Sequence, residues 1–219
     1  MEQHEGHQRT AHQHGGRHGG TQAGGDGAGQ PGVLDLGGEL ADQLRWHWDN
    51  QARPRLEGLT DEEYFWEPVT DCWSVRPRGT GSAPVQAGSG DFTIDFGFPE
   101  PVPPPVTTIA WRIGHLVVGV LGVRNAAHFG GPPVNYEDFA YPGTAAEALG
   151  LLDEYYATWI GAVSAMDEAA LAAPVGAAER HWADAPMATL ILHINREMIH
   201  HLAEVALLRD LYAHRPLSG

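Results

Sequence analysis

Near the C-terminal end of the chain His193, Glu197 and His201 recur at i, i+4 and i+8, a spacing that lines them along one face of a helix. His200 and Glu204 join the same stripe by the 3.6-residue period. Imidazole and carboxylate one turn apart on a rigid element form a donor set for a divalent metal ion. The competing reading is a solvated polar face, the usual fate of such a stripe, with Leu192, Met198, Ile199, Leu202 and Val205 turned to the core.

A second histidine region shifts that balance. His115 lies in Trp111-Arg-Ile-Gly-His-Leu-Val-Val-Gly-Val-Leu-Gly122, where almost every neighbour is apolar, so its imidazole is buried and needs partners. Gly119 and Gly122 on the same segment leave room for a ligand or for a close helix. His115, Glu197 and His201 together make a two-His, one-carboxylate set with open coordination positions, which suits Zn(II), Ni(II) or Fe(II). Spacing leaves open the metal, and whether His193, His200 or Glu204 is a ligand or a partner that orients the imidazoles.

Other groups can support such a centre. Glu204, His200 and Arg196 are candidate catalytic residues on the same helix, Glu204 as a base. Arg196, Arg124 and Arg112 can orient an anionic substrate or sit in structural ion pairs. His47, between Trp46 and Trp48, can shuttle a proton or simply pack, and with Arg124 and Trp73 it is a candidate contact for a bound co-substrate. His128 reads as a hydrogen-bonded core residue. Cys72 has Asp71 and Trp73 beside it and nothing cationic to lower a thiol pKa, so it reads as a packing residue.

These residues need elements to hold them. Leu36, Leu40, Leu44, Trp48 and Leu56 mark a first amphipathic helix over 36–56. Thr60-Asp-Glu-Glu63 has the form of a capping box opening a short helix through Tyr64 and Phe65, stopped by Pro68. Residues 67–106, rich in Pro and Gly, show no sustained period and read as a long ordered loop whose Trp73, Phe92, Phe96 and Phe98 can pack as a lid. Thr107 or Thr108 caps a second helix to about 129, closed by Gly130-Gly131-Pro132-Pro133. A third runs over 144–166, with Leu149, Leu152, Tyr156, Trp159, Ile160 and Val163 on one side, and a fourth over 185–213. The fold class expected is all-α, a four-helix bundle with a long loop between helices 1 and 2. Residues 1–32 contain no Val, Ile, Leu or aromatic side chain and read as a disordered His/Gly-rich tail ahead of one domain at 33–219.

Composition bounds the function. Of 219 residues 42% are hydrophobic and 19% charged, which places the chain among globular proteins. A net charge of -15 argues against a nucleic-acid partner and against anionic membrane surfaces. The most apolar run, residues 113–123, is well short of the ~20 residues of a membrane span. One cysteine and no apolar leader near Met1 point to a reducing cytoplasm. All 13 basic residues are Arg, the mark of a GC-rich genome.

Three segments carry a family likeness: Asn195-Arg-Glu-Met-Ile-His-His-Leu-Ala-Glu-Val-Ala-Leu-Leu-Arg-Asp-Leu-Tyr212, Thr107-Thr-Ile-Ala-Trp-Arg-Ile-Gly-His-Leu116 and Leu59-Thr-Asp-Glu-Glu-Tyr-Phe-Trp-Glu-Pro68. Together they resemble the DinB-like superfamily, most closely its actinobacterial branch, over about residues 33–213. The resemblance implies a four-helix bundle with a divalent metal held by three residues, commonly all His, one from the second helix and two, four apart, from the last. Those positions match His115, Glu197 and His201; the departure is Glu197, where many members have His.

The resemblance further implies activation of a low-molecular-weight thiol, mycothiol or bacillithiol, for transfer to or isomerisation of a small electrophile, in a monomer or homodimer. Mycothiol suits a GC-rich source. Two rival functions remain: metal-dependent hydrolysis with activated water as nucleophile and Glu204 as base, and a non-catalytic ligand-binding or stress-response module.

Overall fold

A computed structural model describes residues 34–216; the tail expected over residues 1–32 falls outside the described residues. Asp35 opens helix α1 (Leu36–His47), its carboxylate accepting from the Gly38 amide at 2.9 Å. The rod continues through a π-helical turn, Trp48–Ala52, into α2 (Arg53–Arg55), so the stretch expected over 36–56 is helical with one wide turn. Trp48 fills that turn and stacks on Tyr156 with ring centroids 4.0 Å apart. Thr60 caps α3 (Asp61–Tyr64) by accepting from the Glu63 amide at 3.2 Å. Only half of the capping box closes, because the Glu63 carboxylate instead takes a two-pronged ion pair from Arg209, at 2.8 and 3.1 Å.

The second long stretch starts at Thr108, whose hydroxyl accepts from the Trp111 amide, and comprises α4 (Ile109–His115), a π-helical segment Leu116–Gly122 and α5 (Val123–His128). Gly130, at φ 69°, adopts the left-handed conformation that ends it. Thr144 caps α6 (Ala145–Ser164), which buries Leu152, Tyr156, Trp159 and Val163 as its spacing required. A short α7 (Glu168–Ala172) and a 3₁₀ segment, Ala177–Trp182, lead to α8 (Met187–Ala213).

The molecule is mostly helical: α1 packs against α6 and α8, and α4 with its π-helical continuation packs against the same two. Leu44, Leu116, Leu121, Trp159, Ile191 and Ile194 form the fully buried centre. The buried Asn195 amide donates to the Leu40 carbonyl at 2.8 Å and sets α8 against α1. Among the described residues no helix is long and apolar enough to cross a membrane.

The expectation of helices alone is corrected at residues 67–106. That segment folds into a three-stranded antiparallel sheet, β1 (Val75–Pro77), β2 (Val85–Ala87) and β3 (Phe92–Phe96), in the order β1-β3-β2. Val75 and Ala87 both pair with the fully buried Ile94. Strands of three residues between prolines and glycines are too short to show a period of two, so the sequence reads as loop.

The sheet fixes the start of α4. Asp95, 1% exposed, accepts from the Ser74 amide and from Arg76 Nε, while its carbonyl accepts from Trp111 Nε1 at 2.8 Å. The aromatic lid does not form as one unit. Trp73 and Phe96 pack on Trp111, Phe92 stacks on Phe65, and Phe98 is 95% exposed.

Candidate metal centre

His115 is the last residue of α4, stacked on Trp111 (5.2 Å, 20°) and edge-on to His201 (4.9 Å, 88°). Helix α8 presents Glu197 and His201 one turn apart. One donor atom from each of His115, Glu197 and His201 lies within 4.8 Å of the other two. The structure thus brings together from two elements the three residues singled out in the sequence.

Proton positions follow from the neighbours. His201 Nδ1 lies 2.7 Å from Glu204 Oε2, and Arg112 lies 3.1 Å from both that nitrogen and that oxygen. A guanidinium only donates, so a ring nitrogen shared with it and with a carboxylate is satisfied best as N–H, both groups donating to Glu204. His201 Nε2 is then a bare lone pair, 3.4 Å from Glu197 Oε2, which is another. Two acceptors facing each other without a proton are the arrangement a cation stabilises.

His115 Nδ1 sits 2.7 Å from the Tyr136 hydroxyl, and donation to that oxygen leaves its Nε2 free as well. Burial, reinforced by His201, Arg112 and Arg124, pushes the His115 pKa down to about 3. Burial likewise lowers that of His201, against the opposing effect of its hydrogen bond to Glu204. Both imidazoles are therefore neutral at physiological pH, the form that ligates a metal.

The remaining polar residues of the stripe take other roles. His193 Nδ1 accepts from Arg196 at 2.9 Å and, with its lone pair so used, only approaches Glu197 Oε1 at 3.6 Å. His200 is exposed and reaches Glu204 at 3.5 Å. His200, His201 and Glu204 also lie close enough to share an ion, but all three sit on one helix and the His201 nitrogen nearer Glu204 carries a proton. The donor set with free lone pairs is His115, Glu197 and His201.

Beside it opens a cavity of about 890 Å³, walled by Gly119 and Tyr136 on one side, by His193 and Arg196 of α8 on another, and by the 3₁₀ segment. Gly119 leaves room for Tyr136. A Cβ at this position would collide with the Tyr136 hydroxyl and lie 3.1 Å from His115 Nδ1. Arg124 lines the cavity, donates to the Gly119 carbonyl at 2.6 Å and reaches Glu179 at 3.3 Å. The other Glu179 oxygen pairs with His128 Nε2 at 3.0 Å, which makes His128 the hydrogen-bonded residue expected.

Two residues singled out in the sequence lie apart from this cluster. Trp73 is core packing against Phe96 and Trp111. His47 is turned to its own helix, with Nδ1 3.2 Å from Gln51 Oε1, and burial lowers its pKa. Cys72 is buried, its thiol donating to the Val69 carbonyl, and burial raises its pKa, as suits a packing residue. Tyr136 and Glu179 were missed in the sequence. Each stands in an irregular segment, where no periodicity ties it to His115 or Arg124.

None of the curated proteins and none of the solved structures compared with this chain matches it. A sequence model of the DinB superfamily matches residues 43–205, a span that includes His115, Tyr136, Glu197, His201 and Glu204. By that match, which covers most of its length, the chain belongs to the DinB superfamily.

Proposed function

We propose that the protein is a metal-dependent enzyme that activates a low-molecular-weight thiol of the mycothiol type for transfer to, or isomerisation of, a small electrophile. Its scaffold, on this reading, is a four-helix bundle whose members are the α1–α2 stretch, the α4–α5 stretch, α6 and α8. The observation that carries the proposal is the grouping of His115, Glu197 and His201, one donor atom of each within 4.8 Å of the other two, next to Tyr136 and His193, which line a cavity large enough for a substrate.

A divalent ion held by His115, Glu197 and His201, zinc by ligand type with nickel or iron also compatible, supplies the positive charge that favours a thiolate near neutral pH. The chain's own groups prepare the place. Glu204 and Tyr136 hold the two imidazoles in the tautomer that aims Nε2 inward, and Arg112 in turn holds Glu204. Glu197 contributes one negative charge that a third imidazole does not. Arg196 and Arg124 on the cavity wall are placed to orient a substrate.

Metal content by mass spectrometry on the full chain and on His115→Ala, Glu197→Ala and His201→Ala tests the site. The His-rich tail is the same in all four proteins, so its metal cancels in the comparison. About one equivalent lost in each variant, with helical circular dichroism retained, is the expected result; equal metal in all four overturns it. Loss of 1-chloro-2,4-dinitrobenzene only when mycothiol is added supports thiol transfer. Substrate loss without thiol points instead to hydrolysis, and no loss in either condition to a binding module.

A further inference from the structure

The cavity beside the metal centre has a charge pattern that the thiol reading leaves unused. With -15 overall, acidic groups outnumber arginines about two to one, and most described arginines end on a carboxylate. Arg180 and Arg196 do not: neither has a carboxylate oxygen within 4.0 Å among the described residues, and both are exposed and line this cavity, where Arg196 donates to His193 Nδ1 of the same wall at 2.9 Å. Arg45 and Arg78 also lack such a partner, but they end on the Ser164 hydroxyl and on the Gly88 and Gly90 carbonyls. Among the described residues the one carboxylate in the cavity wall, Glu179, is already shared by Arg124 and His128.

Two further observations mark the same place. Arg180 adopts φ 54° and ψ -118°, a backbone conformation rare outside glycine that clusters at ligand clamps. Apart from these cations the lining includes the apolar Val123, Ala127, Val175 and Leu190, together with Leu192 at 49% and Trp182 at 61% exposure. At about 890 Å³ the cavity is within the range of small-molecule sites, roughly 300–1,000 Å³.

We propose that this cavity binds an organic carboxylate with an apolar body, its charged end held by Arg196 and Arg180 and its hydrocarbon part laid on the Val123–Leu190 wall beside Tyr136. As the substrate class of the enzyme this rests on the reading above; as a binding site it stands on the cavity alone. A bare inorganic anion leaves the apolar wall uncovered, and a neutral hydrocarbon leaves two guanidinium groups without counter-charge.

Isothermal titration calorimetry on the full chain with octanoate, octanol and inorganic phosphate tests the assignment. Octanoate is expected to bind saturably, with octanol and phosphate each at least about tenfold weaker. Arg196→Gln and Arg180→Gln each weaken octanoate about tenfold, the loss of one charge-assisted hydrogen bond, and leave octanol unchanged, which shows that the cavity itself is intact. Octanol binding as tightly as octanoate, or both variants binding octanoate like wild type, overturns the proposal. His115→Ala separates the two readings, because it is expected to lose the metal and keep octanoate. A wild-type protein that holds metal but ignores octanoate overturns the carboxylate assignment alone, and one that binds octanoate without holding metal overturns the metal reading alone.

Discussion

Glu204 decides what His201 can do, since a proton shared with the carboxylate sits on Nδ1 and leaves Nε2 as a lone pair. Glu204→Ala is therefore expected to weaken metal binding about 10- to 100-fold with the helix content unchanged, measured by competition with a chelator of known affinity. An unchanged affinity would refute this role for Glu204. His47 makes a separate prediction. Its Nδ1 contacts Gln51, its Nε2 is buried without a partner, and its pKa in the folded protein lies below the ordinary 6.5. The unfolded chain thus takes up this proton first, so stability is full above about pH 6.5 and falls as pH drops toward the lowered value. Urea unfolding in the presence of EDTA should show a shallower loss as pH falls below about 6.5 for His47→Gln than for wild type; equal slopes would refute the assignment. At this scale the candidate ligands were legible because a histidine among apolar neighbours and an E-x-x-x-H pair are local patterns. Tyr136 was not, because its contact with His115 spans 21 residues through a Gly-Pro turn.

The second helical stretch has an irregular middle. Immediately after His115 the chain widens into the π-helical segment Leu116–Gly122, of a kind found often at functional sites. Gly119 within it admits the Tyr136 hydroxyl to the imidazole. Gly119→Ala should expel that hydroxyl, lowering the melting temperature and weakening metal binding together. Tyr136→Phe keeps the packing and removes one hydrogen bond, costing about 0.5–1.5 kcal/mol in denaturant unfolding. If Gly119→Ala behaves like wild type in both measurements, the close approach is not needed. The 3₁₀ segment Ala177–Trp182 is tied to α5 through Glu179, so Glu179→Gln should speed amide exchange in residues 177–182 while α8 stays protected. Three helix starts were legible to within a few residues, because Thr60, Thr108 and Thr144 cap by contacts three residues away. The π-helical turns were not, since the apolar period runs through them without a break.

The helices meet over one buried centre, and Trp159 of α6 is its largest fully buried side chain. Trp159→Ala should cost about 3–5 kcal/mol by chemical denaturation. A smaller loss would mean that the surrounding side chains collapse into the space. The three-stranded sheet acts at this scale too, because Asp95 and Trp111 join it to the start of the helix that carries Arg112 and His115. By itself the sequence determined the long helical stretches and the three ligand candidates, since the helices and the Glu197/His201 pair rest on spacings of three, four or eight residues along a single element and His115 on the apolar character of its immediate neighbours. Only the tertiary structure decided that residues 67–106 form a sheet, that Tyr136 rather than the aromatic segment adjoins His115, and that Glu179 anchors the cavity wall. Those contacts join side chains tens of residues apart, Arg124 to Glu179 across 55, and depend on how close the backbones approach after the helices have packed. No local period encodes that distance.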